Sequence, residues 1–477
     1  MAQKIVINPV TRVEGHGKVT IVLDDAGRVT RARFHVIEFR GFERFVQGRL
    51  YWEAPVIVQR LCGICPVSHL LAAAKAMDVV VGADRLTPTA EKMRRLMHYG
   101  QVFQSHVLHF FHLACPDLLL GFESPPAARN VIGLAIAQPE IVRRAILMRK
   151  FGQEVIQATA GKRIHGTGAI PGGINKNLSA NERDELLPRI DSMIAWSGEA
   201  LALLKKLFRD NKEYFLDFAS FESNFVSLVR PDCGLDLYDG LLRAKDPDGR
   251  IIFDRIPPSD YLSVIREEVR PWSYMKFPFI HTLGKEKGWY RVGPLARLNN
   301  CDFIDTPLAE AQRKEFLELG KGRPVHATLA YHWARLIETI HAAEKMKELL
   351  ADPDLQGDEL VVTGARRAEG ISWIEAPRGT LFHHYRVRSD DTIEMANLIV
   401  STTSNNEPMN RAVQRVAQDE LSGRQITEGM LNKVEVALRA FDPCLSCATH
   451  AVGQMPLELT LVDLNGRIVD HKIRGEM

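Results

Sequence analysis

The chain has 477 residues, 45% of them hydrophobic, with 61 basic against 59 acidic side chains and a formal charge of +2. That length has room for about three ordinary domains or one large unit, and core material is not limiting. The near-neutral balance excludes a general field for nucleic acid or anionic lipid, and no apolar run approaches the roughly 18 residues of a membrane span. The opening MAQKIVINPV lacks the apolar segment of a signal peptide, so a cytoplasmic protein is the expectation.

In chain order, residues 4–37 alternate apolar and polar, with DDAGR as turn chemistry, and predict an antiparallel hairpin or meander. Segments of helical character follow at about 54–80, 87–114, 138–160, 179–209, 308–350 and 405–440. Ser179 with Glu182 three residues on is a capping box at the head of the fourth. Loop stretches such as HGTGAIPGGINK (165–176) separate them. Residues 457–473 again read as strand, Asn-Gly-Arg turn, strand. No linker is evident. The expected fold is α+β and mainly helical: a central bundle of long helices with antiparallel β elements from the N- and C-terminal segments. The whole of 1–477 reads as one unit, with its mainly helical body at 54–440.

Seven cysteines, at 62, 65, 115, 233, 301, 444 and 447, are an odd number in a chain that reads as cytosolic, so structural disulfides are not expected. Cys115, Cys233 and Cys301 read as buried small hydrophobes. The other four form two Cys-x-x-Cys pairs, in RLCGICPVSH (60–69) and FDPCLSCATHAVGQM (441–455). Four thiolates suit zinc, an iron–sulfur cluster, Cu(I) or thiolate-bound nickel or iron. A structural four-cysteine zinc site is the plain alternative, but zinc ribbons separate their pairs by roughly 15–20 residues. A dithiol–disulfide enzyme needs only one such pair, exposed near a helix start. His106, His109 and His112 lie at i, i+3, i+6 on a strongly apolar segment and read as core or network histidines. HGTGAIPGG lacks the strand–G-x-G-x-x-G–helix order and the P-loop Lys-Ser/Thr, so this chain is not expected to bind NAD itself.

RLCGICPVSH resembles the R-x-C-G-x-C-x-x-x-H motif, and DPCLSCATH the D-P-C-x-x-C-x-x-H motif, of nickel–iron hydrogenase large subunits. NPVTRVEGHG (8–17), FRGFERFVQGR (39–49), HFFHLACPD (109–117) and EAPRGTLFHH (375–384) follow the family order, so the resemblance spans essentially the whole chain. It is most like the cytoplasmic, bidirectional NAD-reducing branch. The quinone-site subunit of respiratory complex I is similar in fold but lacks the cysteine pairs, all of which are present here.

The resemblance implies a nickel–iron centre with Cys62 and Cys444 as terminal nickel ligands, Cys65 and Cys447 bridging to iron, and carbon monoxide and cyanide on the iron. It implies reversible splitting of H2, with Cys444 as the base. Heterolysis needs a Lewis acid pair with a base beside it, which agrees with that assignment. Glu14 matches the first proton-relay residue; on spacing alone it reads as an exposed hairpin glutamate. Arg378 matches the arginine over the vacant metal position, with Asp117 and Asp442 as the acids that fix it. Asp442 also reads as a turn former before Pro443. His69 is expected to hydrogen-bond a bridging sulfur. Glu43 and His450 match ligands of a Mg2+ site completed by a main-chain carbonyl from 396–400. Ser401 or Thr402 matches the cyanide hydrogen-bonder, although IVSTTSNN (399–406) departs from the family's V-P-S-T-W-N.

The family further implies an iron–sulfur small subunit, a flavin diaphorase carrying FMN and NAD, nickel-insertion chaperones and a maturation protease. Residues 441–450 would be the C-terminal metal motif, and 451–477 a tail cut after His450. The hairpin pattern of 457–473 predicts that the uncut tail pairs with the N-terminal sheet and holds the site open.

Overall fold

In the computed structural model, which describes residues 3–449, 457–463 and 467–474, Gln3–Ile7, Gly17–Leu23 and Val29–Val36 form one antiparallel sheet in that order. The apolar face buries Val19, Ile21, Phe34 and Val36, and the polar residues Lys18, Thr20 and His35 that alternate with them are covered as well. The turn closes because Asp24 Oδ1 accepts from the amides of Ala26 and Arg28, both at 2.9 Å, while Gly27 takes φ 74°.

Pro139–Ala160 is continuous as expected, whereas 179–209 breaks behind the Ser179–Glu182 capping box into Ala180–Leu186, a 3-10 turn carrying Pro188, and Ile190–Asp210. Pro88–Leu108 continues into a π-helical turn, His109–Ala114. Glycines let Pro88–Leu108 and Pro139–Ala160 approach closely: a Cβ at Gly100 would meet Val155 at 2.8 Å, and one at Gly152 would meet Gln104 at 2.8 Å. Helix Ala330–Leu350 lies against Pro88–Leu108 and Ile190–Asp210, buried on nearly every side.

Three more expected long helices are broken. The segment 54–80 splits into Ala54–Val58, a 3-10 turn and Pro66–Val80, because Cys62 is extended (φ −144°, ψ 145°) and Pro66 can only begin a helix. The segment 308–350 splits into Pro307–Leu317 and Ala330–Leu350, with Pro324 between. The segment 405–440 splits at Gly423 (φ 69°), and Thr427 caps the second half by accepting from the Met430 amide at 3.3 Å.

The body is mainly helical as expected, but the β content is not confined to the terminal segments. Glu369–Ala376, Gly379–Val387 and Ile393–Ile399 form an antiparallel sheet. A second sheet runs Tyr290–Arg291, Asn224–Val229, Leu241–Lys245, Ile251–Ile256. All of Asn224–Val229 is buried, and only Arg386 of Gly379–Val387 is exposed. Strands buried on both faces lose the alternation that identifies them. At the C-terminal end Leu457–Val462 pairs with Ile468–Arg474 as expected, but among the described residues this two-stranded ladder does not join the N-terminal sheet.

A buried ionic network joins these layers. Arg297 donates to Glu338 through Nε and Nη2, both at 2.6 Å, and through Nη1 to Glu375 Oε2 at 2.7 Å and Ala376 O at 2.9 Å. His106 Nε2 lies 2.9 Å from Glu338 Oε2, so this histidine serves a core network. Burial alone would raise the Glu338 carboxyl, but Arg297 and His106 outweigh it and bring it from 4.5 to about 2. A depressed carboxylate stabilises the fold above the unfolded value of 4.5, and that stability is lost as pH falls toward about 2. Glu338→Gln is therefore expected to flatten the acid limb of a stability–pH profile. Arg297→Met, which strands two buried carboxylates, is expected to lower stability by about 3–5 kcal/mol in urea unfolding.

Candidate metal centre

Each Cys-x-x-Cys pair sits where regular structure has to stop. Cys65 is the residue before helix Pro66–Val80, and the turn from Cys62 aims the amides of Ile64 and Cys65 at Cys62 Sγ, at 3.1 and 3.4 Å. The second pair follows helix Glu428–Ala440, which Asp442 ends with φ 55°, a left-handed conformation that aspartate tolerates, before Pro443 prevents continuation. Asp442 is thus the turn former that its alternative reading predicted.

The four sulfurs converge. Cys62 and Cys444 Sγ are 3.2 Å apart, Cys65 and Cys447 3.8 Å, Cys444 and Cys447 2.7 Å, and all four lie within 4.8 Å of one another in a buried cluster. Thiols this close cannot all ionise. Burial pushes Cys444 and Cys447 well above the ordinary thiol value, while Cys62, accepting from Cys444, Cys447 and Cys65, is pushed well below it. A soft cation bound by four thiolates would remove that conflict. Among the described residues this is the one group of three or more potential metal ligands within such a distance. A small cavity of about 10 Å³ adjoins it, lined by Cys65, His69, Arg378, Thr402, Cys444 and Cys447 among others.

Glu14 is held at the sulfurs by the opposite end of the chain. Its carbonyl accepts from the Leu445 amide at 2.9 Å, and its Oε2 lies 3.0 Å from Cys444 Sγ and 3.1 Å from the Ser446 amide. Burial and the charge of Cys62 raise its carboxyl, against hydrogen bonds from Cys444 and Ser446. From Ser446, Oγ reaches Glu38 Oε2 at 3.3 Å, and Glu38 Oε1 contacts Nδ1 of the exposed His16.

Arg378, in the turn between Glu369–Ala376 and Gly379–Val387, donates through Nε to Asp442 O at 2.6 Å and through Nη2 to Asp442 Oδ1 at 3.0 Å. Burial works against its charge, but Asp442 and the thiols of Cys444, Cys65 and Cys62 hold it well above the usual range. Its Nη1 and Asp442 Oδ2 have no hydrogen-bond partner among the described residues. A buried, unpaired donor on a cavity edged by sulfurs is what a site for a further ligand offers.

Asp117 does not fix Arg378. It binds Arg12 at 2.5 Å and Arg439 at 2.9 Å, because the π turn and the short helix Cys115–Leu120 direct it toward the N-terminal segment. Arg12 also donates to Leu113 O at 2.8 Å, so Asp117 anchors the loop that carries Glu14. Ser401 Oγ donates to Gly379 O at 2.6 Å, whereas Thr402 Oγ1 accepts from the Cys444 amide at 3.0 Å and keeps its own hydrogen to donate. His69 Nδ1 lies 3.4 Å from His383 Nε2.

Glu43 is half-buried and accepts from the Leu398 amide at 2.9 Å, which places it on the 396–400 segment. Lys276 Nζ stands 3.3 Å from Glu43 and 3.4 Å from Glu267, whose carboxyl burial raises to about 7 while Lys276 opposes the rise. His450 lies outside the described residues. Cys115 and Cys301 are buried as expected, but Cys233 is partly exposed with Arg243 Nη2 2.8 Å from its sulfur. His109 Nε2 lies 2.6 Å from Arg439 O, again a network role. Glu38, Lys276, Glu267, His383 and Tyr385 reach these groups through tertiary contacts, whereas His16 and Ser446 lie two residues from Glu14 and Cys444. Of them, His383 lies within EAPRGTLFHH, His16 within NPVTRVEGHG and Ser446 within DPCLSCATH, motifs that could have pointed to them.

With this geometry in hand, comparison with known proteins is direct. A HoxL-like family model matches residues 4–39, and a nickel-dependent hydrogenase model matches 40–120 and 261–450. The NAD-reducing hydrogenase HoxS subunit beta of Cupriavidus necator is 50% identical over 99% of this chain and 100% of its own length. A crystal structure of an NAD+-reducing nickel–iron hydrogenase in the H2-reduced state superposes with a TM-score of 0.93 at 59% identity, covering 94% of this chain and 99% of that one. The Ni-Fe-Se hydrogenase of D. vulgaris Hildenborough in the reduced state gives a TM-score of 0.75 at 25% identity, over 94% and 100% of the two chains. The chain belongs to the nickel-dependent hydrogenase family, as a large subunit of the nickel–iron type.

Proposed function

We propose that this subunit carries out reversible heterolytic cleavage of H2 to protons and electrons at a nickel–iron centre held by Cys62, Cys65, Cys444 and Cys447. The observation that carries the reading is what surrounds the sulfurs: Glu14 Oε2 lies 3.0 Å from Cys444 Sγ, and Arg378 lines the same cavity. When bound, the centre supplies the Lewis acidity that polarises H2, with carbon monoxide and cyanide completing the iron. The residues of the chain manage the proton. Cys444 Sγ receives it and Glu14 Oε2 takes it on, a transfer favoured by the burial that raises the Glu14 carboxyl. Ser446 and Glu38 then carry it to His16 at the surface. Arg378 Nη1 and the Thr402 hydroxyl are the donors available to groups on the metal, and Asp442 keeps the guanidinium in place. A closed structural zinc site has no use for this cavity, base and cation.

Electrons leave to an iron–sulfur small subunit. Four of seven cysteines are committed to the centre, and the remaining three cannot ligate a cluster relay here. The names of the two NAD-reducing relatives support onward transfer to NAD+, and a flavin-bearing diaphorase is the partner proposed to carry it. Glu43, with His450 and a carbonyl of 396–400, holds Mg2+. The tail 451–477 is removed by a maturation protease after nickel-insertion chaperones load the site. A cytoplasmic location fits; among the described residues no helix is long and apolar enough to cross a membrane.

The deciding experiment is metal content and intact mass of the chain purified after co-expression with its maturation proteins. Nickel and iron in a chain ending at His450 are expected, with nickel falling to background in Cys447→Ser. A full-length chain holding one zinc under those conditions would overturn the reading. In the loaded protein, Glu14→Gln is expected to lower H2-dependent dye reduction by about 100-fold or more at unchanged nickel content, with Glu14→Asp partly active.

A further inference from the structure

A second cleft, of about 400 Å³, lies between helix Pro88–Leu108 and the end of Ala330–Leu350 and shares no lining residue with the cavity at the sulfurs. That volume is in the range of small-molecule sites, and the reaction outlined above does not use it. Glu91, Arg95 and Tyr99 recur every four residues on the first helix, so one face of it forms a wall.

Tyr99 lines the cleft although it is only 3% exposed. Its ring meets His341 edge-on at 5.7 Å. Its hydroxyl has no hydrogen-bond partner among the described residues. The charges that act on the phenol, Asp236, Arg95, Asp305 and Glu348, all belong to the cleft walls, which places the hydroxyl on that space. Burial, and then Asp236, holds the phenol above the ordinary tyrosine value, so it stays protonated and neutral. An unpaired hydroxyl this buried costs free energy, and a ligand that pairs with it recovers part of that cost.

The wall charges are paired but not balanced. Arg95 binds Glu91 Oε1 at 3.0 Å and Asp236 Oδ2 at 2.9 Å. Arg230 and Lys345 both bind Asp305 Oδ2, at 2.7 and 2.9 Å, and Lys345 also binds Glu348 Oε2 at 2.7 Å. Three cations thus serve four carboxylates, and Arg230 is shared with Asp232 besides. The second oxygens Glu91 Oε2, Asp305 Oδ1 and Glu348 Oε1 accept no hydrogen bond among the described residues. The excess is negative, so the fitting ligand is a cation. A single metal ion does not fit: among the described residues only the four cysteines bring three or more ligand atoms within 4.8 Å of one another. Separated carboxylates suit a cation whose charges are spread along a chain, each ammonium donating to a different oxygen.

We infer that this cleft binds an aliphatic di- or polyamine, with Glu91 and Glu348 accepting from its ammonium groups and the Tyr99 hydroxyl oxygen accepting from another of its N–H groups. The inference stands apart from the metal centre, since no cysteine takes part in it.

Isothermal titration calorimetry of spermidine into the full-length protein at low ionic strength tests this. One saturable site per chain is expected. Glu91→Gln with Glu348→Gln, at side chains 47% and 53% exposed, is expected to weaken binding about tenfold or more. Tyr99→Phe is expected to weaken it about fivefold with circular dichroism unchanged. Asp184→Asn, an exposed acid outside the cleft, is expected to leave it as in the wild type. Mg2+ at matched ionic strength is expected not to displace spermidine. Heat without saturation would overturn the inference, and so would saturable binding that the paired glutamate substitution or Tyr99→Phe leaves unchanged. Displacement by Mg2+ would also overturn it, by showing a diffuse acidic surface in place of an amine site. Should Tyr99→Phe not fold, the paired variant and the Mg2+ competition decide the matter.

Discussion

Four thiols have to be held in sulfur contact although two of them lie 382 residues from their partners, and the rest of the architecture answers to that constraint. Bringing such distant segments together costs loop-closure entropy, so long-range contacts have to hold each pair rigidly. Helix Pro66–Val80 fixes the first pair from one side. The second pair, past the end of its helix, is held by Glu14 and Thr402. The N-terminal segment is in turn fastened to helix Glu428–Ala440: the Thr11 amide donates to Glu435 at 2.6 Å, and Arg439 donates to Thr11 O at 3.0 Å. Asp117 completes the clasp through Arg12 and Arg439. The proposed base beside the sulfurs and the closure of the sulfur cluster are thus products of one set of contacts.

The second theme is charge placed where water is absent. Arg297, Glu338 and Glu375 are fully buried, as are Arg378 and Asp442. Ion pairs of this kind contribute little net stability against an apolar replacement, but breaking one is costly, so they impose a specific arrangement. Arg297 binds the carbonyl of Ala376, two residues before Arg378, and the same network thereby sets the turn that carries the cavity's cation. A fixed cation in a low-dielectric cavity acts on nearby charge more strongly than it would in water. The proposed reading draws on that feature, because a proton leaving a buried sulfur needs a raised carboxyl close by and a polar path outward.

The sequence by itself determined the chemistry and several local structures. Two Cys-x-x-Cys pairs at motif spacing announce a soft metal whatever the fold around them. The turn at Asp24–Arg28 and the cap at Ser179 were legible because each depends on residues two to four positions apart. Asp442 was legible twice, as a turn former and as the partner of Arg378, and the structure has it do both. Asp117 was read, by resemblance, as a partner of Arg378, and the structure pairs it with Arg12 and Arg439 instead. Its partner was decided by a π-helical turn, and no periodicity reveals such a turn.

Only the tertiary structure decided the rest. The sheets at 224–256 and 369–399 were hidden because strands covered on both faces carry no alternation, and 54–80 hid a break because Cys62 to Cys65 are as apolar as the helices beside them. The path from Glu14 to His16 and the cleft at Tyr99 join residues from separate elements, so no spacing within the sequence encodes them. Sequence carries the identity of reactive groups and the interactions that close within a few residues. Which groups face one another across the interior depends on how buried surfaces pack, and that is settled only when the whole chain has folded.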